Sequence, residues 1–212
     1  MSPPLLLTLI GLLYVLVFGG LSWLRREGAP TRLAIEGVAL TLLIAGLAAL
    51  TGAAPNPVLL LALLYLVTMR ARLLSDVGNW LARRGDHGAA GRAYDLALRL
   101  WPDEASRLVV RLNQGVLALH RGQPDQAIAI FREVLAAAGG GYLGIKYESA
   151  CHYNLAVAYQ KQGLDAQAVL EFNAVLDTWP ASEYARYASI ALERRKQKKT
   201  ATKELHHGLS QR

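Results

Sequence analysis

Cys151 is the sole thiol of the chain, and its five histidines stand at His87, His120, His152, His206 and His207. A nucleophilic thiolate needs a neighbouring cation or imidazole to lower its pKa, and a zinc site needs Cys and His at short, repeated spacings. Neither pattern is present. Cys151 lies in an apolar helical stretch and reads as a small packed hydrophobe. One cysteine excludes an intramolecular disulfide and leaves the redox compartment open. The histidines are scattered, with no carboxylates arranged to make them a catalytic or metal set. The run Gly139–Gly141 is no phosphate loop, since no strand precedes it and no GK[ST] follows. Glu36 is an acid in an otherwise apolar stretch, a functional candidate by default. Its place in the first turns of a helix lets it remain near an interface or favour the positive end of the helix dipole. The sequence is therefore expected to be non-enzymatic, with no cofactor and no metal.

The elements that hold these residues fall into three zones. Pro4–Leu24 carries no charge over 21 residues, which as a helix spans the roughly 30 Å hydrocarbon core. The preceding MSPP lacks the basic region of a signal peptide, so a retained span is expected. Trp23 beside Arg25 and Arg26 suits an interfacial anchor. A second apolar segment runs from about Leu33 to Ala53, with Thr31 as its N-cap. Its small residues Gly37, Ala45, Gly46, Ala48 and Ala49 suit close helix packing. A third, Pro57–Met69, is short but reaches a full span if taken from Ala54 to Leu74, with Arg70 and Arg72 snorkelling, and the span is expected at about 55–72. Arg25, Arg26 and Arg32 mark the first connection as cytoplasmic, and Arg70 with Arg72 follow the third segment. Three spans of a bacterial-type plasma membrane satisfy these signs, with the N-terminus outside and the C-terminal domain on the cytoplasmic side.

Charge divides the same way. Of the formal +7 over 212 residues, 1–73 carry +3, 74–193 carry −2 and 194–212 carry +6. The middle zone has no basic excess with which to displace counterions from phosphates, so nucleic acid is not expected as a partner. The tail cations Arg194, Arg195, Lys196, Lys198, Lys199 and Lys203 suit an anionic membrane surface, at about 1 kcal/mol each.

The middle zone repeats. Gly85, Ala90 and Tyr94 recur as Gly122, Ala127 and Phe131 and again as Gly163, Ala168 and Phe172. Gly78, Gly115 and Ala156 stand seven residues before Gly85, Gly122 and Gly163 respectively. Pro102 and Pro180 close the first and third units, and Gly139 stands there in the second. Small residues let two antiparallel helices approach, the glycine permits the turn, and the aromatic fills the gap between units. This pattern resembles the tetratricopeptide repeat (TPR), with units at about 71–104, 108–141 and 149–182. Extra residues between units, above all around Gly139–Tyr147, would form a loop or distort the stack. After Pro180, Tyr184, Tyr187, Ala188 and Ala191 share one face of a capping helix at 183–195, followed by a flexible basic tail at 196–212.

The resemblance implies a superhelix whose concave face binds a protein segment. In some family members a carboxylate clamp grips a partner's C-terminus. Its Asn positions match Asn79 and Asn113, but Ser75, Ala150 and Asn154 replace the cations, so that clamp is not expected. An amide row of Asn79, Asn113 and Asn154 persists, with Arg111, Gln114, Tyr153 and Lys146 expected beside it. The expected fold is thus all-α: an N-terminal membrane anchor (1–70), a TPR solenoid (71–193) and a basic tail. The expected role is an adaptor that recruits a protein partner at the membrane. The competing reading is an accessory subunit of a membrane enzyme or transporter, bound through its transmembrane helices.

Overall fold

The computed structural model describes residues 2–25, 27, 31–139 and 143–210, with side chains described to Thr200 except that of Lys199. Among these residues all regular structure is helical: α1 (Pro3–Leu24), α2 (Thr31–Thr51), α3 (Pro57–Thr68), α4 (Arg70–Arg83), α5 (His87–Arg99), α6 (Glu104–His120), α7 (Pro124–Ala138), α8 (Ile145–Lys161), α9 (Asp165–Thr178) and α10 (Glu183–Ser210). Two of them, α1 and α2, are long and apolar enough to cross a membrane. They pack antiparallel, with Gly11 against Thr41 and Gly37 against Val15, where an added Cβ would collide. Ala45 and Ala48 are buried in the same seam, whereas Gly46 and Ala49 face outward.

The third apolar segment departs from the expected straight helix over 55–72. Asn56 caps α3 by accepting from Val58 N at 2.8 Å, the helix ends at Thr68, and at Met69 the chain bends by 71° into α4. At twelve residues, α3 is about 18 Å long. Its buried edge, Leu60, Leu64 and Thr68, packs on the α1–α2 pair, and Tyr14 shares a 2.6 Å hydrogen bond with Thr68.

From Arg70 onward the chain forms three helical hairpins, α4–α5, α6–α7 and α8–α9, capped by α10. The glycines closing the first helix of each, Gly85, Gly122 and Gly163, all have φ between +72° and +84°. Tyr94, Phe131 and Phe172 are fully buried, the first two against Gly78 and Gly115, as the close-approach argument requires. The described residues of the inter-unit insertions are taken up in part as helix. α6 and α8 begin four residues before the repeat register, at Glu104 and Ile145. Asp103 starts α6 by accepting from Ser106 N at 2.8 Å, and Gly144 at φ +74° lets the chain pass the Arg25 carbonyl before α8. Gly140, Gly141 and Tyr142 of that insertion lie outside the described residues. At the far end Ala185 and Ala188 of α10 are buried, and α10 continues to Ser210, so the boundary expected at 195 is not a helix end.

The α1–α3 bundle and the helical hairpins meet through ion pairs. Arg70 Nη1 and Nη2 donate to the two Glu36 oxygens at 2.6 and 2.9 Å, and Arg32 Nε donates to Glu36 at 2.7 Å. Arg70 also donates to the carbonyls of Val67, Leu100 and Trp101, so the α5–α6 connection is fastened to the α3–α4 bend. Glu36 is thus a structural acid shared by the two zones.

Candidate functional site

On α4, Arg72, Asp76, Asn79 and Arg83 recur at intervals of four, three and four and share one face. That face, with Ser106, Val110 and Asn113 of α6 and Lys146 and Tyr147 of α8, lines a cavity of about 700 Å³ on the inner side of the hairpins. Its opposite wall is the α1–α3 bundle: Phe18 and Leu21 from α1, Arg25 just beyond its end, Leu33 from α2, Tyr65 from α3 and Met69 at the bend.

The floor is a connected polar network. Glu27, its side chain 5% exposed, accepts from Arg72 at 2.6 Å. Arg72 Nε donates to Ser106 Oγ at 3.0 Å, and that hydroxyl donates to Asp103 at 2.8 Å. Buried ions arranged in this way must be paired and hydrogen-bonded, which fixes the floor in one geometry. Above it, Asn79 accepts from Tyr94 Oη at 2.7 Å and Asn113 donates to Ser75 Oγ at 2.9 Å. Each amide spends one end on the fold and keeps the other for the cavity. Burial pushes the Tyr94 phenol up to about 12 and raises that of Tyr184, so both hydroxyls stay neutral donors.

Of the residues expected to line a groove, Asn79, Asn113 and Lys146 are brought together here, and four are not. Asn154 turns back to donate to the Ala150 carbonyl of its own helix at 2.8 Å. Tyr153 packs its ring between Phe172, Tyr184 and Tyr187, where it seals the cap. Arg111 and Gln114 lie on another side of α6, in a hollow of about 240 Å³ with Asp95 and Arg121. There Arg111 makes two bonds to Glu133 at 2.8 and 3.0 Å and Gln114 donates to Asp95 at 2.9 Å. Arg83, Asp76 and the α1–α3 wall carry no expectation from sequence. The four-three-four spacing through Asn79 is the signal that finds the first two.

Among the tail cations, Arg195 is drawn back onto α9, donating to the Asp165 carbonyl at 3.0 Å and pairing with its carboxylate at 3.1 Å. Lys196 pairs with Glu193 at 3.7 Å. Arg194 and Lys198 are exposed, while the side chains of Lys199 and Lys203 lie outside the described residues. Cys151 is wholly buried, and burial raises its thiol pKa well above the ordinary value. Among the described residues no three His, Cys, Asp or Glu groups converge on a metal position.

The tetratricopeptide repeat profile matches residues 69–140, and a second profile of the same description matches 150–182. No curated protein matches the chain in sequence. A solved structure described as the N-terminal domain of stress-induced protein-1 (STI-1) from C. elegans is similar at 19% identity, covering 58% of this chain and 94% of that one with a TM-score of 0.48.

Proposed function

Because residues 69–140 and 150–182 belong to the tetratricopeptide repeat family, a protein-binding and non-catalytic module, we propose that this chain is a membrane-anchored adaptor. In this reading α1, α2 and the short α3 cross the bilayer, with the N-terminus outside and the repeats at the cytoplasmic face. The 700 Å³ cavity then receives a segment of a protein partner, and the observation that carries this is its lining. Two half-free amides, Asn79 and Asn113, stand over a rigid ionic floor, able to donate and accept along an extended backbone. Anchoring confines the encounter to the membrane plane and raises the effective concentration.

A photocrosslinker placed at Asn113 in the full chain tests the reading, with a second at Leu13, which is 60% exposed on the anchor. Capture of one protein from Asn113, weakened by Asn79→Ala but not by Arg111→Ala on the other side of α6, is the expected result. The second reading, an accessory subunit held by its apolar helices, draws on the exposed leucines of α1 and α3 such as Leu16 and Leu59. Capture confined to Leu13 would establish it in place of the first.

A further inference from the structure

The wall opposite the repeats is what distinguishes this cavity. Phe18, Leu21, Tyr65 and Met69 all come from the anchor. On the same helices Leu24 and Leu66, which do not line the cavity, are 73% and 59% exposed. The wall thus belongs to helices whose outward faces are apolar, so on the membrane-spanning reading this side of the cavity borders the space lipid would fill.

Its charges are spread along its length. Glu27 and Arg72 satisfy each other, and Asp103 is taken up by Ser106. Arg25, Arg83 and Lys146 line the cavity without an ion pair among the described residues, against one exposed acid, Asp76. Arg25 lies beside the start of α8, because the Gly144 backbone passes its carbonyl, and so shares one end of the cavity with Lys146. Arg83 lies eleven residues beyond the Glu27-bound Arg72, which along α4 is about 16 Å. One phosphate cannot reach both ends. An extended peptide covers that distance in about five residues.

Resting on the groove reading above, we propose that the occupant is the membrane-proximal segment of a bilayer-anchored partner, apolar where it leaves the lipid beside Leu21 and Tyr65 and acidic where it passes Arg83 and Lys146. The apolar wall beside the cations favours this over a wholly acidic soluble tail, which would leave Phe18, Leu21, Tyr65 and Met69 without an apolar contact.

The test uses the full chain in phosphatidylcholine nanodiscs, with a donor dye on a cysteine at Leu170 in a Cys151→Ser background. The probe is a twenty-residue Leu/Ala span followed by six residues, either Glu/Asp or Lys, and an acceptor dye; the acidic hexapeptide without a span is the soluble control. The acidic spanning probe is expected to associate about tenfold more strongly than the Lys probe, and Arg83→Gln with Lys146→Gln to erase that preference. Equal binding of the two spanning probes overturns the inference, as does a preference that survives the double substitution. Tight binding of the soluble hexapeptide alone overturns the membrane-proximal assignment and keeps the groove. A preference abolished by adding phosphatidylglycerol to the wild-type discs assigns the cations to lipid phosphate instead. If no probe binds while the Asn113 crosslink persists, this inference falls and the adaptor reading stands; loss of that crosslink removes the reading itself.

Discussion

Replacing Glu36 by Gln removes the carboxylate that accepts three charge-assisted hydrogen bonds, at 2.6, 2.7 and 2.9 Å. Such bonds contribute about 1.5–3 kcal/mol each when well buried. The Glu36 and Arg70 side chains are each 23% exposed and Gln keeps one acceptor, so the sum is discounted to about 3 kcal/mol. That is roughly a hundredfold in the folding equilibrium. The assay is a double-mutant cycle of Glu36→Gln and Arg70→Gln in mixed micelles, unfolded with SDS and followed by tryptophan fluorescence. Arg70 also holds the Leu100 and Trp101 carbonyls, so Arg70→Gln is expected to cost more than Glu36→Gln, and the double variant little more than Arg70→Gln alone. Arg70→Lys keeps the charge without the planar fork and recovers only part of the loss. Additive effects, with a coupling below about 0.5 kcal/mol, would refute the clamp as the joint between the α1–α3 bundle and the helical hairpins.

Three further outcomes follow from the packing. Gly115→Ala sets a Cβ 2.5 Å from Phe131 Cε1, and overpacking of about 1–3 kcal/mol outweighs the gain of about 1 kcal/mol in helix propensity. Gly88→Ala, which meets only ordinary contacts, is expected to be neutral or stabilising by a few tenths of a kcal/mol, and thermal melts compare the two. Cys151 should resist maleimide until the chain is denatured, and labelling at the native rate of an exposed thiol would contradict its burial. Tyr94, held neutral up to about 12 against an unfolded value of 10, contributes stability that is complete below pH 10 and lost between pH 10 and 12. Two pH units correspond to about 2.7 kcal/mol. The loss in SDS midpoint between pH 9.5 and 11.5 should be smaller in Tyr94→Phe, and an identical loss in the variant would assign the effect elsewhere.

The repeat was legible because its signals are steric. A glycine facing an aromatic ring, and another at a positive φ seven residues later, leave few alternatives, and Gly78–Tyr94 and Gly115–Phe131 pack as that logic demands. The end of the third apolar helix was not legible. Thr68-Met69-Arg70 contains neither Pro nor Gly, and the bend is held by Arg70 reaching carbonyls some thirty residues away. The amide row failed at Asn154 because a helical Asn can satisfy itself on the preceding turn. Arg111 and Gln114 stand two residues before and one after Asn113, spacings that place side chains on different faces of a helix. The α1–α3 wall of the cavity could not be read at all, because no local pattern records that α1 lies opposite the inner helices of the hairpins.

The Tyr14–Thr68 hydrogen bond places the end of α3 level with the middle of α1. Ten residues of α1 remain beyond that level, about 15 Å of helix, so the bundle presents apolar heights of about 33 Å at α1 and 18 Å at α3. On the membrane-spanning reading proposed above, a bilayer matched to α1 would be far too thick at α3, and the mismatch would carry an elastic cost that lipid could meet by thinning on that flank. The molecule would then have a thin side and a thick side. Neighbours that relieve the thinning would settle against α3, beside the cavity wall that Tyr65 supplies, so the deformed membrane itself would sort which proteins arrive there.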